Sequence, residues 1–398
     1  MKAIVTLNAG SSSIKFALYE LSADGLRFDA GGKIEEIGTA PRLRARDAKG
    51  EVILEHDWPQ GDILSHEHLL DDLFAWAATQ LGDREIVAIG HRIVHGGTAF
   101  AAPRPIDDAL LDALADLIPL APLHQPHNLA AVRALRTLAP HLPQIACFDT
   151  AFHHDLPQLA TRLPLPRAFH DQGVRRYGFH GLSYEHIAAR LRDADPERAG
   201  GRVIAAHLGN GASLCAMQEG KSVDTTMGFT ALDGLMMGTR SGALDPGVVL
   251  HLQTQLGMSA KEVETLLYKK SGLLGVSGAS SDMRTLHASG APEATEAIEL
   301  FVRQAARQAA ALIPALGGLD GVVFTAGIGE NDAVIRARIC KSLAWTGLAL
   351  DPDANGANAA VISARESKVL VRVIPTDEEA VIAHHVAGLI KSVGRSVP

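Results

Sequence analysis

"LNAGSSSIKF", residues 7–16, closes the apolar run 3–7, breaks at Asn8-Ala9-Gly10 and sets three serines ahead of Lys15. A hairpin turn needs the glycine and tolerates the serines. It does not account for a lysine two residues past the last hydroxyl. Nor does it account for HLGNGAS, residues 207–213, which repeats the pattern half a chain later: an apolar run, then Asn, Gly and a small hydroxyl residue. Two similar α/β halves, each presenting a phosphate loop, would explain the echo; chance similarity is the alternative.

The same punctuation recurs elsewhere. Strand-like runs at 86–89, 144–148 and 322–324 stop at GHRIVHGG, DTAFHH and TAGIGEN. Helix-periodic stretches lie between them, at 184–192 and at 293–316, the latter closed by Gly317-Gly318. Strands alternating with helices predict an α/β protein with largely parallel or mixed sheets. Chemically loaded residues just past strand carboxyl ends fall where open α/β sheets bind ligands. The Pro-rich stretch 156–169 suggests a boundary near residue 150. Near the C-terminus, PTDEEAVIAHHVAGLI reads as a helix with a Thr376–Glu379 capping box.

Bulk properties narrow the function. The 398 residues are 47% hydrophobic, enough for two or three cores, and 37 basic against 45 acidic residues give a net charge of −8. That balance argues against a nucleic-acid or acidic-membrane partner. Three scattered cysteines form no CxxC pair, which suggests a reducing cytoplasm and no thiolate zinc site. The longest apolar run, 309–319, is far below the ~20 residues of a spanning helix. HEHL (66–69) lacks the HExxH spacing, Pro126 separates His127 from His124 and Gln125, and no GxSxG elbow exists.

What remains is phosphate chemistry. In HLGNGAS, Gly209 and Gly211 flank Asn210 and let main-chain amides approach an anion. TAGIGEN repeats this with Gly327 and Gly329, and NAGSSSIK adds the hydroxyls of Ser11 and Ser13 and the charge of Lys15. None of these is GxGxxG or GxxxxGK[ST], so a dinucleotide fold and a P-loop NTPase are both disfavoured. Arg92 and Arg240 sit among glycines and could aim guanidinium forks at phosphoryl or carboxylate oxygens; solvated loop arginines are the alternative. His180 precedes a helix expected to begin near Ser183, close to its positive end. Asp149 and Glu378 are candidate carboxylates for a magnesium ion.

Taken together, NAGSSSIKF, GHRIVHGG, FDTAFH, YGFHGLSY, HLGNGAS, MGTRSG, KKSGLLGVSG, FTAGIGEN and IPTDEE resemble the acetate kinase family, in that family's order and across essentially the whole chain. The resemblance implies two duplicated actin-like (ribonuclease H-like) domains, mixed sheets flanked by helices, around a central cleft: residues 1–150 with 383–398, and 151–382. It implies phosphoryl transfer between ATP and a short-chain carboxylate, in a homodimer, with Mg2+ that Mn2+ can replace. It makes Asn8 and Glu378 metal residues, Lys15 a nucleotide-phosphate contact and Arg92 the carboxylate contact. His180 and Arg240 become transition-state stabilisers. His207, Leu208, Gly209, Asn210 and Gly211 would hold the nucleotide, with Asp282, Met283 and Arg284. So would Gly327, Ile328, Gly329, Glu330 and Asn331.

The acyl pocket would be Val94, Leu123 and Phe179, with Ala231 beside them. Two positions depart from the usual family pattern: Ala231 where proline is common, and Ala243 where an acid is common. Removing the proline ring makes room for propionate, the second substrate. Asp149 matches a position with an acid/base role. A carboxylate nucleophile is already ionised near neutrality, however, and has no proton to give up. Asp149 is better suited to orient metal-bound water or an arginine. A nucleotide-driven binding protein of the Hsp70 or actin type is the rival class; it would not need Arg92 and Arg240 together.

Overall fold

β1 (Lys2–Ala9) is buried along nearly its whole length, as its continuous apolar run demands of a strand covered on both faces. The computed structural model describes residues 2–10, 13–58, 64, 66–81 and 85–394. The chain divides into two units, residues 1–151 with 377–398, and residues 152–376.

In the first unit β1 pairs antiparallel with β2 (Ile14–Ser22), which leads outward through β3 (Gly25–Glu35) and β4 (Arg42–Asp47) to β5 (Val52–Asp57). On its other side β1 runs parallel to β6 (Glu85–Ile93), which runs parallel to β8 (Gln144–Phe148). The short β7 (Arg104–Pro105) closes that edge. The order is β5-β4-β3-β2-β1-β6-β8-β7.

Alternate residues of β2 serve opposite faces. Phe16 and Leu18 enter a core with Leu69, Leu70 and Leu73 of the helix His66–Leu81 and Ala131, Ala134 and Leu135 of the helix Gln125–Leu138. Ala17 and Tyr19 pack against Ala383 of the C-terminal helix Glu378–Gly394. That helix approaches the sheet so closely that a Cβ at Gly90 would stand 2.4 Å from Ile382.

The second unit contains β9 (Arg202–Leu208), β10 (Ala212–Gln218), β11 (Lys221–Thr225), β12 (Gly321–Thr325) and β13 (Leu370–Val373), in the order β11-β10-β9-β12-β13. β9 is antiparallel to β10 and parallel to β12, and β12 is parallel to β13. This repeats β3-β2-β1-β6-β8 strand for strand, the duplication that the two Asn-Gly loops suggested. The helix Gly181–Ala194 covers it with Tyr184, Ile187, Ala188 and Leu191. The helix Pro292–Leu316 packs on β9, β10 and β11 and ends at Gly317, φ +69°.

Three expectations need correction. The chain from 14 to 57 forms a wing of four antiparallel strands, which the strand–helix alternation did not suggest. TAGIGEN is no open loop: after Thr325 it turns directly into the short helix Ala326–Asn331. The cap of the last helix is Asp377, whose Oδ1 accepts from the Ala380 amide at 2.8 Å, and not a Thr376–Glu379 box. Thr376 is drawn away because its hydroxyl donates to Ser183 Oγ and its amide to Glu330 Oε1.

Candidate active site

In the first unit the loaded residues converge on Arg92. It lies on β6 itself, one residue before the strand ends, with its side chain almost buried. Asp149, 1% exposed at the end of β8, forms a direct ion pair with Arg92 Nη2. Arg92 Nη1 donates to Asn8 Oδ1 at 3.1 Å, and Asn8 Nδ2 donates to Glu378 Oε2 at 3.3 Å. Burial works against the Arg92 charge, but Asp149 and Glu378 outweigh it and hold the guanidinium above its ordinary pKa. Asp149 is thus a buried partner of an arginine, not a surface or capping acid.

Lys15 stands opposite Asn8 in the β1–β2 register, so the two side chains share a face. Glu379, expected as a cap, faces the same region: burial raises its carboxyl pKa and Lys15 draws it back. Only its position after Glu378 could have marked it. The Gly10 amide closes the intervening turn on the Ser13 carbonyl at 2.8 Å; Ser11 lies outside the described residues. Val94 is buried, its amide held by Asn128 Oδ1 at 2.9 Å, and Leu123 is half-buried just before the helix Gln125–Leu138.

Asn8 and Glu378, hydrogen-bonded to each other beside Arg92, offer hard oxygen donors. Magnesium is typically held by one or two carboxylates plus water and substrate phosphates, so this donor set fits it. Among the described residues no cluster of three or more His, Cys, Asp or Glu could cage a metal with protein ligands alone.

In the second unit His180 is the residue before the helix Gly181–Ala194 and adopts φ +59°, ψ +26°, a left-handed conformation unusual for histidine. The buried His153 braces that turn. Its Nε2 meets the Phe179 carbonyl at 3.0 Å and its Nδ1 meets Ser222 Oγ at 2.7 Å. A carbonyl only accepts, so His153 carries its proton on Nε2. The His180 ring stacks on His207 at 4.1 Å, and His180 Nδ1 lies 2.8 Å from Ser213 Oγ. His207 Nδ1 lies 2.9 Å from Ser183 Oγ. Phe179 is buried in this unit, apart from Val94 and Leu123 in the sequence and in the division of the chain.

Arg240 is fixed by its own turn. The Met237 amide donates to the Arg240 carbonyl at 3.1 Å, and the Gly238 amide donates to the Asn210 carbonyl at 3.0 Å, tying the turn to HLGNG. Arg240 Nη1 donates to the Ala231 carbonyl at 2.6 Å. Ala231 therefore touches the arginine through its main chain, a link no spacing suggested. Ala243 lies in the same segment, its amide on the Gly234 carbonyl at 3.0 Å. At Gly211 the two candidates meet. A Cβ there would lie 2.9 Å from Arg240 Nη2 and 3.2 Å from His180 Nε2, so glycine leaves open the space both side chains face.

Beside this point lies a cavity of about 1090 Å³, whose wall includes Gly209, Asn210, Asp282, Met283 and Arg284. Gly327, Ile328 and Asn331 of the helix Ala326–Asn331 line it too. Asp282 caps the helix Met283–Ser289 through the Thr285 amide at 2.9 Å, and that hydrogen bond lowers its pKa. Leu208 and Gly329 are buried and do not line the cavity. Glu330 turns its carboxylate onto the amides of Ala326 and Thr376, at 2.7 and 3.0 Å. The sequence missed two further lining residues: His287 Nε2 meets Asp332 Oδ2 at 2.9 Å while Asp332 also caps the helix Ala333–Ser342. It also missed Arg336, fully buried, which donates to the carbonyls of Gly329 and Glu330 and to Asn355, clamping the GIGEN helix.

Burial pushes the Cys215 and Cys340 thiols up to about 12, which disfavours either as a thiolate nucleophile.

A sequence profile of the Acetokinase family matches residues 3–384. Acetate kinase from Rhodopseudomonas palustris is 54% identical over 390 residues, 96% of this chain and 97% of that protein. Acetate kinase from Methylocella silvestris is 50% identical over 396 residues, 98% of both. Among solved structures, acetate kinase from Porphyromonas gingivalis superposes with a TM-score of 0.85 at 37% identity, over 98% of this chain and 100% of that one. A propionate kinase from Francisella tularensis gives 0.88 at 37% identity, over 97% and 99%. With the duplicated sheet order, these likenesses establish the actin-like fold. The chain belongs to the acetokinase family.

Proposed function

We propose that this protein is an acetate kinase, moving the γ-phosphoryl group of ATP to acetate reversibly to give acetyl phosphate and ADP. The observation that carries this reading is the convergence of His180 Nε2 and Arg240 Nη2 on the open flank of Gly211, next to a cavity large enough for a nucleotide.

The reaction is a direct in-line displacement. A carboxylate oxygen of acetate bonds to the γ-phosphorus, the bond from that phosphorus to the β–γ bridging oxygen breaks, and ADP leaves with the electron pair. The second unit supplies the residues for the donor: the cavity takes the nucleotide, and His180 and Arg240 meet the charge that spreads over the transferring group's equatorial oxygens. The first unit supplies those for the acceptor: Arg92 binds the carboxylate, Asp149 holds Arg92 in place, and Val94 and Leu123 receive the methyl group. Lys15 and Ser13 contact phosphate. Asn8 and Glu378 are the residues that would hold magnesium, which when bound neutralises phosphate charge and orients the β- and γ-oxygens.

Propionate is the second reading. Ala231 is small, and one methylene in an apolar pocket is worth only ~1–3 kcal/mol, so the two acids need not be sharply separated.

A homodimer is supported by the helix Pro246–Thr254, which is largely apolar yet has no buried residue; Leu250 is 61% exposed. Sedimentation velocity reads this directly, and a monomer contradicts it. A cytoplasmic location is supported by the dependence on ATP and by three cysteines that form no disulfide. Among the described residues no helix is long and apolar enough to cross a membrane.

The test is hydroxylamine trapping of acyl phosphate with ATP, magnesium and acids from formate to butyrate. Hydroxamate should form fastest with acetate and not without ATP. Faster trapping with propionate selects the second reading, and none with any acid overturns both.

A further inference from the structure

We infer that Ser213 and Tyr184 are positioning residues that hold His180 as the neutral tautomer with its proton on Nε2, facing Gly211 as a hydrogen-bond donor. The inference rests on the role proposed for His180, but the tautomer can be read without any turnover.

Three groups form a chain behind the imidazole. Ser213 Oγ lies 2.8 Å from His180 Nδ1, and the Tyr184 hydroxyl lies 2.5 Å from the same Ser213 oxygen. Tyr184 reaches it because it follows His180 by one helical turn, its amide on the His180 carbonyl at 3.0 Å. Ser213 reaches it from β10, where it pairs with His207 of β9. Both Ser213 and Tyr184 are 0% exposed, so every proton in the chain has to end on a protein acceptor.

The direction of the chain follows from its far end. Among the described residues the Tyr184 hydroxyl has one side-chain partner, Ser213, so the phenolic proton is left for Ser213. Burial holds the Tyr184 pKa well above its ordinary value, so that proton stays on the phenol. Ser213 therefore accepts from Tyr184, and its own proton goes to the one remaining neighbour, His180 Nδ1.

The reverse assignment, with Nδ1–H donating to Ser213, would bring two protons to one hydroxyl. The serine's own proton would then have no acceptor among the described residues, an unsatisfied buried donor. With the Nδ1 lone pair occupied by Ser213, the ring proton sits on Nε2, the atom beside Arg240 Nη2 in the space left by Gly211.

This orientation has a chemical consequence. An Nε2–H can donate to a phosphoryl oxygen, but it has no lone pair with which to attack phosphorus. His180 thus stabilises the transfer without becoming phosphorylated, in agreement with direct passage from ATP to the carboxylate.

Long-range 1H–15N correlation spectra of the full chain, with His180 assigned by comparison with His180→Gln, test the inference. The wild type should show His180 protonated on Nε2 with Nδ1 as acceptor. Ser213→Ala should shift the ring towards a mixture of tautomers and lower kcat about tenfold or more, the effect of one lost hydrogen bond of ~1.4 kcal/mol. The KM for ATP should stay within about twofold, Tyr184→Phe should move the spectrum in the same direction, and Ser213→Thr, which keeps the hydroxyl, should restore the wild-type tautomer. A wild-type ring protonated on Nδ1, or a Ser213→Ala spectrum unchanged from wild type, overturns the inference. The expected spectra with an unchanged kcat support the tautomer and remove His180 from the proposed mechanism.

Discussion

Arg240 and Arg92 are the same side chain used in two ways. Arg240 donates from Nη1 to the Ala231 carbonyl and presents its other nitrogen towards Gly211. It is placed to meet charge that appears only during transfer. Arg240→Ala should therefore lower turnover about 10³-fold or more, with a much smaller change in the KM for ATP. Turnover within tenfold of wild type would contradict the role. Arg92 is instead held from behind by Asp149 and Asn8. Asp149→Asn removes the charge that fixes it and should lower activity roughly ten- to a hundredfold, the scale of a hydrogen bond to a charged group. Because acetate has no proton to remove, both limbs of the pH–rate profile should survive. Selective loss of the acidic limb with the rate otherwise intact would show Asp149 to be a titrating catalyst.

Among elements, the GIGEN helix shows how a short segment becomes a binding wall. Six residues make a marginal helix on their own, and Arg336 holds this one by its last carbonyls from a fully buried position. Lysine cannot reproduce the five-donor fork. Arg336→Lys should lower the melting temperature, at a cost of about 1.5–3 kcal/mol for each charged hydrogen bond lost, and should weaken ADP binding measured by calorimetry. Unchanged ADP affinity in a destabilised protein would separate the clamp from the site. None of this was legible in the sequence. Residues 327–331 advertise close backbone approach through their glycines, and that reading found the cavity wall. The helix, and the arginine that clamps it, depend on contacts with Asn355 some 19 positions away, which no local pattern encodes. The capping box failed for a similar reason: Thr376 matched locally, but Ser183 and Glu330, distant in the chain, claim it. The strand ends carrying Asn8, Arg92, Asp149 and His207 were legible because their apolar runs are strong and their interruptions chemically unusual.

At the scale of the whole molecule, three buried histidines make stability depend on pH. His91 and His95 in the first unit and His153 in the second are each lowered to about 4, chiefly by burial. In the unfolded chain they titrate near ~6.5. Between these values the unfolded state binds more protons than the folded one, so stability is full above about 6.5 and is lost as pH falls towards about 4. Calorimetry from pH 7.5 to 4.5 should show melting temperatures falling below about 6.5, with a shallower fall in His153→Gln. A flat profile would mean that these rings are charged, or exposed, in the native protein. The central claim concerns where the nucleotide's terminal phosphate goes. A crystal structure with a non-hydrolysable ATP analogue, magnesium and acetate should show the nucleoside in the cavity beside Asp282 and Ile328 and the γ-phosphate within hydrogen-bonding distance of His180 Nε2 and Arg240 Nη2. A γ-phosphate bound elsewhere, with the space at Gly211 left to solvent, would contradict the account.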